Sequence, residues 1–185
     1  MHAFVTTRLD YCNSILAGAP RSATDKLQRV LNAAAHLVSG TRKFHHGLSR
    51  LLHAKLHWLD VPERVQHKLG VTVRRCQQHK APQYLIDCVM PASDIASRQQ
   101  LRSASRHQLV PCYQLSSLGR QSFAIAGPTT WNLLSADLRD PTCSDESFRR
   151  SLKIFLFVKY KCVQCINRFF FYDDALYKST LSIQL

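Results

Sequence analysis

Acidic residues are scarce in this chain: 12 Asp and Glu stand against 25 Lys and Arg in 185 residues, a formal net charge of +13 and a sequence pI near 9.8. So uneven a balance points to a polyanionic partner, and phosphate backbones are the commonest polyanions a protein meets. The basic residues are spread as pairs and triplets (Arg42-Lys43, Arg74-Arg75, Arg98/Arg102/Arg106, Arg149-Arg150, Lys159/Lys161) rather than gathered in a tail, so the folded surface itself should be positive. Charge names no particular nucleic acid, and a basic surface that serves solubility alone is the competing reading.

Long apolar runs are missing as well. The most apolar stretch, Ile154 to Tyr172, is broken by Lys159, Lys161 and Arg168, each costly at a bilayer centre, so no membrane span is expected. The opening Met1 to Arg8 has no basic region followed by an apolar core, which argues against a secretory signal and for an intracellular protein of the cytoplasm or nucleus. Cysteines number seven, an odd count without framework spacing, so reduced thiols are expected rather than a disulfide scaffold. There is no Gly-rich phosphate loop, no Ser/His/Asp order and no internal repeat.

What is present is a globular composition. With 45% hydrophobic and 20% charged residues, the chain lies outside the regime that keeps polypeptides unfolded. Its length fits one domain, or one with a small remnant. Helical signals dominate. Ser22-Ala23-Thr24-Asp25 has the pattern of a capping box and Gly40 that of a left-handed stop. Between them Leu27, Val30, Leu31, Ala34, Ala35 and Val38 form one apolar stripe at helical spacing, with Lys26, Arg29 and Asn32 pointing elsewhere. Phe4 to Leu16 reads as a shorter helix ended by Gly18-Ala19-Pro20, and the two should form an antiparallel hairpin.

Asp60 with Glu63 is a second capping box, with Pro62 tolerable in the first turn, and predicts a helix to about Gln78 that Gly70 weakens. Ala81-Pro82 breaks the chain before a short helix over Gln83 to Val89. Residues 91–119 are Ser-, Gln- and Arg-rich without sustained period and are expected to be flexible, apart from a short strand over Gln108 to Cys112. A last helix starts at Ser144, with Asp145 and Glu146 in its first turn and Lys153 late. Phe148, Leu152, Phe155 and Leu156 share one of its faces, and Arg149, Arg150 and Lys153 another. The expected fold class is mainly α: a small helical domain with short irregular or β segments and a disordered C-terminal tail. The expected divisions are a helical hairpin and linker over 1–59, a helical extension over 60–157 and an unrelated or readthrough tail over 158–185.

Several blocks occur in a telling order: Arg8-Leu9-Asp10-Tyr11-Cys12-Asn13-Ser14, Leu27-Gln28-Arg29-Val30 with Asn32-Ala33-Ala34-Ala35, Leu56-His57-Trp58-Leu59, and Ala81-Pro82 with Tyr84-Leu85. Leu101-Arg102-Ser103, Val110-Pro111, Ser122-Phe123-Ala124, Pro128 with Trp131-Asn132-Leu133, and Phe148 with Leu152-Lys153 and Leu156-Phe157 follow. Over about residues 3 to 157 the series resembles the region behind the polymerase palm in non-LTR, LINE-type retrotransposon reverse transcriptases of the jockey-like and chicken-repeat-like kinds. The resemblance implies a helical thumb and a C-terminal extension that grip template and primer, with the catalytic palm upstream and an absent palm domain as a further partner. It implies no enzyme activity for this chain alone. Asp60, His36, Ser135 and Cys112 stand where the family has Pro, Arg, Pro and Arg, the pattern of a decaying copy. A structural or interaction remnant, or a translated fragment without function, is therefore the alternative.

Individual sites follow from the residues. Phe171-Tyr172-Asp173-Asp174 matches the aromatic-x-Asp-Asp box of reverse transcriptases, yet two-metal catalysis needs a whole carboxylate constellation, and a tail position behind the thumb-like region makes a chance match the better reading. No catalytic residue is assigned. His53 and His57 would share a helix face, with His45-His46 nearby, but no Cys or acidic partner has ligand spacing and the Glu of a His-Glu-x-x-His motif is missing. Cys162-x-x-Cys165 lacks a second pair. Neither a metal nor a cofactor is expected. Trp58 and Trp131 sit in apolar blocks, where core packing is commoner than base stacking. The remaining candidates are electrostatic, contacting RNA or DNA backbone without sequence preference: Lys26, Arg29, Arg74, Arg75, Arg149, Arg150 and Lys153. The sequence leaves the oligomeric state open.

Overall fold

The computed structural model describes residues 2–42, 47–111 and 122–158. Within them the chain is mainly helical. Helix α1 spans His2–Asp10 and α2 spans Arg21–Ser39, with a 3₁₀ turn, Asn13–Leu16, between them. The short α3, Leu48–Arg50, runs into a π-helical turn, Leu51–Lys55, and the long α4 covers Val61–Gln77. Then come α5 (Gln83–Ile86), β1 (Met90–Pro91), α6 (Arg102–Ser105), β2 (Leu109–Val110), α7 (Phe123–Asn132), a 3₁₀ turn (Asp137–Arg139) and α8 (Asp145–Val158). The strands form one antiparallel pair, Met90 opposite Val110 and Pro91 opposite Leu109, so the short strand expected near 108–112 is present. Short elements occur within residues 91–111 of the Ser/Gln/Arg-rich stretch expected to be flexible, and its residues 112–119 lie outside the described residues.

Local chemistry explains where the helices begin and end, and in places it departs from expectation. The single helix expected over Phe4 to Leu16 is broken, because Cys12 adopts a left-handed backbone (φ 52) that redirects the chain into the 3₁₀ turn. The redirection is pinned from outside: Arg64 of α4 donates to both Asp10 carboxylate oxygens at 2.9 and 3.0 Å. Ser22 is not the cap of α2, whose N-cap is Pro20, so Ser22 lies inside the first turn. Gly40 does stop α2, at φ 66, with its N–H returned to the His36 and Leu37 carbonyls. Asp60 precedes α4, but its side chain makes no cap bond. Ser144 caps α8 as expected, its Oγ accepting the Ser147 N–H at 3.2 Å.

Helix α4 is the shared wall of the fold, touching α1, α2, α5, α7, α8 and the first 3₁₀ turn. Leu31 and Ala35 of α2 pack with Leu51, Leu52, Trp58 and Val61 on its N-terminal side. Of the expected stripe of α2, Leu31 and Ala35 are buried, Leu27, Ala34 and Val38 are partly buried against them, and Val30 is 56% exposed. Toward its C-terminal end Val73 and Cys76 join Trp131 of α7 and Phe148, Leu152 and Leu156 of α8. Both tryptophans are therefore core. Phe155, placed on the buried face by sequence, is 38% exposed, and Phe157 turns inward instead, its ring edge-on to His53 with centroids 6.4 Å apart. At Gly70 α4 and α8 approach closely, since a Cβ there would lie 3.0 Å from Leu152 Cδ2. No helix among the described residues is long and apolar enough to cross a membrane.

Candidate nucleic-acid interface

The packing of α8 on α4 brings basic residues from two helices onto one seam. His67, Val71 and Arg75 recur at four-residue intervals along α4 and so share a face, while Arg149 and Lys153 do the same on α8. Arg75 and Arg149 are exposed and flank one shallow recess, floored by Val71 and Phe148. The His67 ring hydrogen-bonds the Arg149 backbone and feels the Lys153 charge. Burial first, and then the Lys153 ammonium, push its pKa down to about 4, so at neutral pH it is an uncharged ring between cations. Lys68, exposed and seven residues before Arg75, extends the same face of α4.

Two carboxylates near the seam have cationic partners. Asp145 lines the recess but receives the Lys80 ammonium at 2.7 Å, a bond that holds its pKa below the usual carboxylate range. Asp10 is held by Arg64. Asp145 Oδ1 is enclosed without a partner and the exposed Glu146 lies one turn before Arg149, so negative charge remains beside the cations of the seam.

The other predicted residues divide sharply. Arg74 was expected beside Arg75 on the cationic surface, and it is instead buried, 4% exposed. Its guanidinium donates to the carbonyls of Asp140 at 2.8 Å, Pro141 at 3.0 Å and Cys143, and lies 5.4 Å over the Phe148 ring. It ties the loop before α8 to α4, and contributes to the wall of the recess while its terminal nitrogens are bound to carbonyls. Arg150 is half-buried, one turn after Glu146. Lys26 and Arg29 are exposed on α2, flanking Gln28, whose amide reaches Asp60 and Val61 at the start of α4. Arg75 lies fourteen residues along α4 from Val61, about 21 Å at helical rise. The cations thus form two separate groups. His67 and Lys68 were missed by sequence reasoning, although the His67, Val71, Arg75 spacing carried the signal.

The other candidates narrow in the same way. His53 is buried, its Nδ1 2.9 Å from the Trp58 carbonyl and its Nε2 3.5 Å from Asp60 Oδ2. It serves the packing of the π-helical turn on α4. Among the described residues no group of three or more His, Cys, Asp or Glu could hold a metal ion. Cys12, Cys76, Cys88 and Cys143 are free thiols, and burial raises the Cys76 pKa to about 11, leaving it inert. His45-His46, Cys162-x-x-Cys165 and the Phe171 to Asp174 box lie outside the described residues. An apolar cleft of about 450 Å³ opens between the first 3₁₀ turn, α4 and α7, lined among others by Leu16, Val65, Leu69, Ile125 and Ala126. No family model, no curated protein and no solved structure matches the chain.

Proposed function

We propose that the chain is the C-terminal, post-palm part of a LINE-type retrotransposon reverse transcriptase and that its own activity is sequence-independent binding of RNA or DNA backbone. The observation that carries the binding reading is the α4–α8 seam, where Arg75 and Arg149 flank one recess and Lys80 pairs with one oxygen of the Asp145 carboxylate that lines it. Cations so placed contact phosphates, which fix a protein on a duplex without reading bases. The family reading rests on the ordered series of sequence blocks, and two of those blocks meet in the fold. Trp131 Nε1 donates to the His107 carbonyl at 3.0 Å, and the Asn132 amide bonds both backbone groups of Leu109, beside Val110-Pro111.

Titration of a labelled duplex at several salt concentrations tests the binding. If roughly four to six phosphates are neutralised, the log–log slope is about −4 to −5, and affinity falls by two to three decades between about 50 and 200 mM salt. A salt-independent affinity, or no binding at about 50 mM salt, overturns it. Template-directed primer extension with magnesium or manganese should yield no product, since two-metal chemistry belongs to the palm.

The apolar cleft favours a second reading, an interaction module that presents this surface to an absent palm domain. Under it, Ile125→Asp on the cleft wall abolishes association with a palm-containing polypeptide while duplex binding persists.

A further inference from the structure

Arg139 ends the 3₁₀ turn Asp137–Arg139 and is only 6% exposed. Its Nε and Nη1 are enclosed without an acceptor, while Nη2 is not among the enclosed atoms. A guanidinium stays charged inside a protein and cannot escape the cost of burial by releasing its proton. Arg74 differs in part: its Nε is likewise enclosed without an acceptor, but its two terminal nitrogens meet three carbonyls. The carboxylates adjacent to Arg139 in sequence do not serve it. Asp140 Oδ1 accepts from the Thr142 N–H at 2.8 Å and its hydroxyl at 2.7 Å, and Asp137 is exposed.

A second arginine adds to the imbalance. Arg106 closes α6 and is exposed. The next residue, His107, has its carbonyl bonded to Trp131 Nε1, which fixes the end of α6 against α7. Burial first, and then the Arg106 charge, lower the pKa of Arg139. Arg139 Nε and Nη1 thus have no acceptor among the described residues, and the Arg106 charge reaches the same guanidinium.

We propose that Arg139 and Arg106 form a binding site for a phosphate-type oxyanion. Such a ligand offers several acceptor oxygens to a guanidinium and a formal charge that answers both arginines, and arginine is the side chain best matched to it. The group enters from the Nη2 side, with Arg106 holding its outer oxygens. The site uses none of the α4–α8 residues and stands whether or not the seam binds a duplex. The same chemistry is found in a free phosphate and in a nucleic-acid backbone, so the source of the oxyanion is decided by experiment.

Thermal unfolding of the full chain is followed in chloride and then in inorganic phosphate at matched ionic strength and pH. A chain that takes up free phosphate gains about 4 °C or more at saturation. Arg139→Met loses the gain and, relieved of a buried charge, is at least as stable as the parent in chloride. Arg106→Gln, at an exposed position, reduces the gain without unfolding the chain, and Arg21→Gln on α2 leaves it unchanged. A second arm adds a short duplex to a chain carrying Arg75→Gln, Arg149→Gln and Lys153→Gln. A gain there that Arg139→Met removes identifies a backbone phosphate as the source. No gain with either probe, or equal gains in the parent and Arg139→Met, overturns the proposal.

Discussion

Gln28 caps a helix to which it does not belong: its Oε1 accepts the backbone N–H of Val61, the first residue of α4, at 2.9 Å. Its Nε2 donates to Asp60 Oδ1 at 2.8 Å and to Asn32 Oδ1 at 3.0 Å. One amide of α2 thus satisfies a helix-start donor that Asp60, the residue positioned to cap, leaves alone. Gln28→Ala should cost about 1–3 kcal/mol in chemical denaturation, because the Val61 N–H lies in a partly buried setting. Lys26→Ala, on the exposed side of the same helix, should change stability by less than about 0.5 kcal/mol. Equal small losses for both would show that water replaces the cap at no penalty.

Arg74 and Arg149 have opposite roles and should separate in experiment. Arg74→Met leaves three carbonyls without their donor and is expected to lose about 2–4 kcal/mol of stability. Duplex affinity of its folded fraction should hold. Arg149→Gln should stay within about 0.5 kcal/mol of the parent and make the salt slope of duplex binding shallower by about one. Titrations paired with denaturation curves resolve the two effects, and a reversed pattern would move the interface off the seam.

Two histidines, His53 and His67, shape the pH dependence with opposite signs. For His53, burial disfavours the charged ring, but the Asp60 hydrogen bond, the Trp58 carbonyl and the Asp60 and Glu63 charges outweigh it and raise the pKa above 6.5. Its contribution is fully present below 6.5 and is lost as pH rises through the folded value. His67 is lowered to about 4, so the unfolded chain binds a proton that the native one refuses. Stability should therefore drop as pH falls from 6.5 toward about 4, by at most on the order of 3 kcal/mol. Melting temperatures across this range should show a maximum near neutrality. His67→Gln should flatten the acid limb and His53→Gln the neutral one; unchanged limbs would put both rings in contact with water.

Gly70 is a packing residue. With Leu152 Cδ2 3.0 Å from where a Cβ would stand and Leu152 fully buried, Gly70→Val should destabilise by about 1–3 kcal/mol despite the helix propensity it gains. Gly70→Val with Leu152→Ala should recover part of the loss in a double-mutant cycle. Strict additivity would mean that the two helices are not in contact there.

Features written in local chemistry were legible in the sequence: the Gly40 stop, the extent of α4, the Ser144 cap and the stripe through Leu31 and Ala35. Features decided by distant partners were not. The break at Cys12 follows from a helix end pinned to Arg64, and no residue near Cys12 announces it. Arg74 and Arg75 are adjacent and chemically identical, yet one is sealed by a loop more than sixty residues away and the other faces solvent. Helical phase separates them, and only the position of α8 decides which phase is inside. Phe155 faces outward for the same reason. The basic composition was plain from the start, but its division between the seam, α2 and the buried Arg74 and Arg139 needed the fold.

The side-chain amide of Asn132 lies against β2 as a third strand would, its Oδ1 accepting the Leu109 N–H at 2.9 Å and its Nδ2 donating to the Leu109 carbonyl at 2.8 Å. Across the ribbon, Leu109 faces Pro91, which has no N–H to give. The backbone groups of Leu109 that would form a sticky sheet edge are thereby closed by a single residue at the end of a neighbouring helix. A ribbon this short gains little from its own ladder, and its greater hazard is recruitment by an extended segment of another chain. Asn132 makes that hazard conditional on α7 staying docked, so loss of α7 would expose a template for self-association as well as a cavity.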